Sequence, residues 1–279
     1  MNRLTVARPA TTSGIGLHTG HEVSMTVSQA ESGTGRIWHR VDLDGADTPS
    51  LAPYVSKTAH RTELSRGEAS ITTVEHFLAA AYAFGIEDVR IDVTGPEVPI
   101  GDGSALGCVE LLLRAGCTEG NDATDPLVVS TPFEVREAQS AYVVEPARYL
   151  SLSVRINAPH PLIGSQSIDL DFDKQTFLAE IAPARTFGYL DDHERLKQLG
   201  LARGADASNV LGLTHEGLAN GPLHWPDEFV RHKVLDLVGD LALVGRPICA
   251  HITAIQPGHA GNVALARVLY ATATTNIEA

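Results

Sequence analysis

Cysteine is scarce in this chain: Cys108, Cys117 and Cys249 are the three in 279 residues. The number is odd and no two form a C-x-x-C pair. Neither a disulfide framework nor a cysteine-based metal site is expected, and a reducing cytoplasm suits the chain. Long apolar runs are absent too. The longest nearly apolar stretch, Phe77 to Gly85, is far short of the roughly 20 residues that span a bilayer, so no transmembrane segment is expected. The opening Met1-Asn2-Arg3-Leu4-Thr5-Val6 lacks the apolar stretch of a secretory signal. Basic residues are also few. With 21 Lys and Arg against 34 Asp and Glu, the formal net charge is −13, which argues against a nucleic-acid partner. A small anionic substrate stays open, because a few cations in a cleft can reverse the local potential. Low-complexity tracts and repeats of 20–50 residues are missing as well.

What is present is an ordinary globular composition, 43% hydrophobic and 20% charged, able to bury a real core. Disorder is expected only around Thr272 to Ala279. The polar, turn-rich stretch Gly120-Asn121-Asp122-Ala123-Thr124-Asp125-Pro126 predicts a boundary, giving modules 1–125 and 126–279. After a glycine-punctuated turn at Gly14–Gly20, Val23, Met25 and Val27 alternate as a strand. Thr73 to Phe84 then reads as a helix with Thr72 or Thr73 as N-cap, Val89 to Val93 as a strand and Gly103 to Ala115 as a helix. Beyond the boundary, strands are expected near Leu127–Val129, Ala141–Val144 and Leu150–Ile156. Helices follow at about Lys174–Ile181, Asp192–Leu199, Pro226–Val244 and Gly258–Thr272, with a strand at Ile248–Ile255. Each half runs strands, helix, strand, helix. The class is α+β: two similar modules, each packing helices against a sheet.

His232 and Asp236 stand four apart on a predicted helix and project from one face. An imidazole and a carboxylate so placed can share a metal ion, although an ordinary His–Asp pair on a solvated helix is the more frequent cause of that spacing. The pair Glu75-His76 shifts the balance, since a zinc hydrolase needs one group on the metal and a neighbour that takes a proton from water. His76, His232 and Asp236 make three protein ligands, the number found at catalytic zinc sites. His259, in Gln256-Pro257-Gly258-His259-Ala260-Gly261-Asn262, lies on a glycine-flexible loop opening a helix and is as readily a capping histidine as a site residue. H-E-x-x-H, the dinucleotide fingerprint and the phosphate loop G-x-x-x-x-G-K-[ST] do not occur, which removes kinase and dehydrogenase readings.

Taken together, the segments Gly14-Ile15-Gly16-Leu17-His18-Thr19-Gly20, Thr73-Val74-Glu75-His76, Pro96-Glu97-Val98-Pro99-Ile100-Gly101-Asp102-Gly103-Ser104-Ala105, His160-Pro161-Leu162-Ile163-Gly164, Ala184-Arg185-Thr186-Phe187-Gly188, Arg231-His232-Lys233-Val234-Leu235-Asp236 and Gly258-His259-Ala260 closely resemble the UDP-3-O-acyl-N-acetylglucosamine deacetylases of lipid A biosynthesis. The matches run in family order from about residue 5 to residue 272. The resemblance implies an active site between the modules, with Zn²⁺ at His76, His232 and Asp236; the donor set also admits Fe²⁺. It implies Glu75 as general base, Thr186 as oxyanion partner and His259 as the protonated group at the leaving amine, with Lys233 and Phe187 on the substrate side. The implied partner is a small UDP-sugar bearing an acyl chain, and a cytoplasmic monomer is expected. Phe187, Leu196, Leu199, Leu201 and Val210, within Ile181 to Leu213, can line an apolar passage for that chain, though plain core is the expectation for most of them.

Two positions depart from the pattern. Gln256 stands where many members carry Lys, and Gly204-Ala205-Asp206 replaces a common Gly-Gly-Ser at the cleft edge. A lost cation and an added carboxylate weaken binding of a dianionic ligand if both are close to it. Two alternatives therefore stay open: a paralogous zinc deacetylase for another N-acetylated substrate, and a non-catalytic scaffold of the same fold.

Overall fold

Apolar residues at every second position write most of the strands. The computed structural model describes residues 2–43 and 47–275. In the first half β1 (Asn2–Val6), β2 (Ala10–Ile15), β3 (Glu22–Ser28), β4 (Arg36–Arg40) and β5 (Thr48–Pro49) precede a small antiparallel sheet of β6 (Val55–Lys57), β7 (Glu63–Arg66) and β8 (Ala69–Thr72). Then come α1 (Glu75–Ala83), β9 (Ile86–Val93), α2 (Leu106–Ala115) and β10 (Cys117–Ala123). Strands β1 to β5, β9 and β10 form a seven-stranded sheet. Its central strand β9 pairs in parallel with β1 and β4 and antiparallel with β3.

The second half repeats this plan. β11 (Leu127–Val128), β12 (Phe133–Glu137), β13 (Ser140–Pro146), β14 (Ser151–Ala158) and β15 (Gly164–Asp171) come first. An insertion follows, carrying α3 (Lys174–Thr176), the parallel pair β16 (Phe187–Tyr189) and β17 (Leu211–Leu213), and α4 (His193–Gln198) between them. Then come α5 (Glu228–Leu241), β18 (Ile248–Ile255) and α6 (His259–Thr275). β18 joins β11 to β15 in a six-stranded sheet. The expected α+β class and the order strands, helix, strand, helix are thus present in each half. No helix among the described residues is long and apolar enough to cross a membrane.

Several local expectations are corrected. Most of the polar stretch at 120–126 is strand: β10 covers Cys117–Ala123 and pairs antiparallel with β1. As an edge strand it draws its order from backbone pairing, so its side chains need not be apolar. No threonine caps α1. Its N-cap is Val74, while Thr73 sits at φ +62° with its hydroxyl donating to Glu97 Oε1 at 2.8 Å. α2 begins at Leu106 rather than Gly103, whose φ of +86° belongs to a turn. The helix expected over Lys174–Ile181 holds regular form for three residues and then widens into one π-type turn, closed by Ala182 N donating to Phe177 O at 2.7 Å. α6 continues through Thr275, so Thr272 to Thr275 are helical where disorder was expected; residues 276–279 lie outside the described residues.

Beyond Glu75 and His76, helix α1 is apolar on every side, and Glu75 to Ala81 are all buried, as in a helix between two layers. It packs against α5, buried along most of its length. The two backbones come close at Gly239, where a Cβ would lie 2.1 Å from the Glu75 carbonyl oxygen. A glycine inside a helix costs about 1 kcal/mol relative to alanine, so this position favours closeness over helix propensity. Arg36 ties the halves a second time. Its buried guanidinium donates to Ile86 O at 2.8 Å and to Ala242 O, just past α5, at 3.1 Å. Gly239→Ala is expected to force α1 and α5 apart and to lower stability by roughly 1–3 kcal/mol or more, an overpacking cost, read from the urea midpoint. A variant as stable as the parent shows that the helices have room to separate.

Candidate metal centre and active site

Three elements build the site. α1 opens with Glu75 and His76, α5 carries His232 and Asp236 one turn apart, and α6 opens with His259. One nitrogen from each of His76 and His232 and one oxygen of Asp236 lie within 4.8 Å of one another, and all three residues are buried. Asp236 Oδ1 is 3.4 Å from His232 Nε2 and 3.8 Å from His76 Nε2. Ligands on a tetrahedral zinc at about 2.0–2.1 Å stand roughly 3.4 Å apart, so this cradle fits such an ion without a carboxylate or imidazole having to move far. His232 Nδ1 donates to Ala184 O at 3.0 Å, which leaves the Nε2 lone pair toward the ligand cluster. Ala184 is fixed in turn by its neighbour Arg185, held by Glu228 at 2.8 and 3.1 Å.

The charge states match. Burial and the neighbouring His232 pull the His76 pKa down to about 3, and burial lowers that of His232, so both rings are neutral donors at neutral pH. Burial would raise Asp236, but Lys233 and His232 outweigh it and hold the carboxyl well below the usual range. The Lys233 ammonium donates to Asp236 Oδ2 at 2.7 Å and lies 5.5 Å from the centre of the Phe187 ring. Its place beside a ligand carboxylate was not foreseen from the sequence, which put it on the substrate side.

Glu75 and His259 face each other, Oε1 to Nε2, at 3.9 Å. Their environments drive them toward opposite roles. Burial, against the opposing effect of His259, raises Glu75 to about 7. Burial would lower His259, but Asp240 and Asp236 outweigh it and raise it to about 9. Asp240 touches His259 Nδ1 at 2.9 Å and accepts from Thr62 Oγ1 at 2.5 Å and Asn262 Nδ2 at 2.9 Å. Thr62 N also donates to Glu75 Oε2 at 3.2 Å. Asp240 and Thr62 were not picked out from the sequence. Asp240 was findable, since it continues the four-residue row His232, Asp236, Asp240; Thr62 carries no such signal.

Thr186 and Phe187 enter from the insertion. Thr186 N donates to Gly103 O at 2.8 Å and Ala105 N donates to Ala182 O at 2.9 Å, so the Gly101–Ala105 turn of one half grips the Ala184–Gly188 segment of the other. A Cβ on Gly103 would lie 2.1 Å from Asn209 O. The Phe187 ring meets Phe229 at 4.9 Å and His232 at 6.1 Å. Beside Thr186 and Phe187 opens an apolar cavity of about 450 Å³, walled by Leu190, Leu196, Val210 and Ala219. Phe187, Leu196 and Val210 therefore line this cavity and are not plain core; Leu199 is 64% exposed and, like Leu201, lies outside the wall.

The two departing positions have local duties. The Gln256 side chain accepts from Asn157 N at 2.6 Å and donates to Asn157 O at 2.7 Å, prolonging the β14–β18 pairing beyond Ile255. Asp206 accepts from the Ser208 hydroxyl at 2.5 Å and amide at 2.7 Å on the cavity rim.

Comparison with known proteins identifies the family. The chain is 42% identical over 268 residues to the UDP-3-O-acyl-N-acetylglucosamine deacetylase of Myxococcus xanthus (strain DK1622), a match covering 95% of this chain and 85% of that one. The enzyme of that name from Geobacter sp. (strain M21) is 41% identical over 257 residues, 91% of this chain and 84% of that one. The one from Thermodesulfovibrio yellowstonii is 36% identical over 268 residues, 96% and 91%. With a family profile matching residues 3–271, the chain belongs to the UDP-3-O-acyl N-acetylglycosamine deacetylase family.

Proposed function

We propose that this chain hydrolyses the N-acetyl group of UDP-3-O-acyl-N-acetylglucosamine, releasing acetate and a free amine in lipid A biosynthesis, with zinc held by His76, His232 and Asp236. The single observation that carries the reading is the cluster of those three ligand atoms within 4.8 Å, beside a Glu75–His259 pair. Family membership makes it a hydrolytic deacetylase acting on an amide. Zinc, when bound, supplies Lewis acidity toward water and the acetamide carbonyl.

The protein's own groups do the rest. Glu75, with its proton affinity raised to about 7, takes a proton from the attacking water. The Thr186 hydroxyl donates to the oxyanion that forms as water adds. His259, kept protonated by Asp240, delivers a proton to the departing amine, which is a poor leaving group without one. Lys233 holds the Asp236 carboxylate in its charged form and turns its remaining N–H donors toward the sugar or phosphate oxygens. The acyl chain occupies the cavity beside Phe187. We place this reaction in the cytoplasm, on a monomer divided near residue 125.

Acetate release from UDP-3-O-acyl-N-acetylglucosamine by the purified, metal-analysed protein is the direct test; a metal-replete protein that leaves this substrate intact would refute the reading. Glu75→Ala is expected to retain zinc and lose roughly 10²–10⁴ in kcat. His232→Ala is expected to lose both metal and activity, and a metal-replete, active His232→Ala protein removes the assigned site. Asp240→Asn takes away the charge that raises His259. The His259 proton is then lost at lower pH, so the alkaline limb of the kcat/KM profile should move downward from near 9. An unmoved limb would show that another group sets it.

A further inference from the structure

One side chain in the cavity wall is gripped on all sides except at a single atom. His18 closes the Gly14–Gly20 turn, and Glu97 holds that turn from beneath. The backbone N–H of His18 donates to both Glu97 oxygens at 2.9 and 3.1 Å, and that of Thr19 to Oε2 at 2.8 Å. A Cβ at residue 16 would lie 2.5 Å from Glu97 Oε2, so the glycine there lets the carboxylate reach. The ring itself is fixed by Ala202 N, which donates to Nδ1 at 3.2 Å. With Nδ1 an acceptor, the neutral ring carries its proton on Nε2. The residue is 6% exposed, and Nε2 is buried without a hydrogen-bond partner. Native structures almost always pair such donors, because leaving one unmade is costly.

Two other polar side chains of the wall are occupied by the protein itself. Asn220 donates to Ala207 O and Val210 O and accepts from Gly212 N, and Asp206 is taken by Ser208. Thr186 belongs to the reacting amide. A 3-O-acyl sugar with its chain in this cavity brings one carbonyl between sugar ring and alkyl tail, that of the ester. We propose that His18 Nε2–H is the specificity-determining donor to this ester carbonyl, selecting substrates acylated through an ester. The inference rests on the deacetylase reading above. Burial, against Glu97, also holds the His18 pKa down to about 4, so the donor stays neutral and gains nothing from an anion in the same place.

The test compares two substrates, the 3-O-acyl ester and a 3-O-alkyl ether of equal chain length, which lacks the carbonyl. The intact enzyme should favour the ester about tenfold in kcat/KM. His18→Ala should bring the ester-to-ether ratio close to one, whatever change the two substrates share, and His18→Gln, which keeps an N–H donor, should restore part of it. An intact enzyme that deacetylates both substrates equally overturns the proposal, as does a ratio that survives in both variants. An intact enzyme that deacetylates neither overturns the deacetylase reading instead.

Discussion

Everything at this site depends on how closely α5 approaches the first turn of α1. Gly239 lets the α5 backbone ride over the Glu75 carbonyl, and through that contact His76 and Glu75 from one half reach His232, Asp236 and Asp240 from the other. The ligand set is therefore a property of the interface between the halves, and neither half contains it alone. The surrounding motifs serve the same junction. The Gly101–Ala105 turn of the first half fastens Thr186, and the fastening runs through backbone hydrogen bonds, which set position more tightly than a flexible side chain can.

Electrostatics then separates groups that would otherwise behave alike. Asp236 and Asp240 are both buried carboxylates on one row of α5, one turn apart. Asp236 spends one oxygen on Lys233 and turns the other to the histidines, whereas Asp240 is saturated by hydroxyl, imidazole and amide donors. The first is placed to hold a metal ion with the two histidines, and the second is a counter-ion that raises His259. His259 needs that counter-ion because burial would otherwise strip its proton.

Much of this was legible in the residues, and the limits are physical. Helix periodicity placed α1, α2, α5 and α6 within a few residues, and the β18 bounds agree with those read from its alternation. His76, His232 and Asp236 were singled out from spacing and chemistry, and the fold brings the three together. Strands such as β10 and β15 stayed hidden because their side chains are polar or half-exposed and their order comes from hydrogen bonds to neighbours distant in sequence. Thr62 stayed hidden for a similar reason: it acts through a backbone N–H and a hydroxyl brought near by tertiary packing. The cavity wall was read mostly as core because leucine and valine look the same in sequence whether they face a protein interior or a cavity.

Arg36 carries a consequence for movement. Its guanidinium is buried, donates to carbonyls on both halves, and cannot shed its proton at any physiological pH. Swinging the halves apart would break its bond to one of them, at a cost of roughly 1–3 kcal/mol. That tie works against a hinge motion between the two sheets.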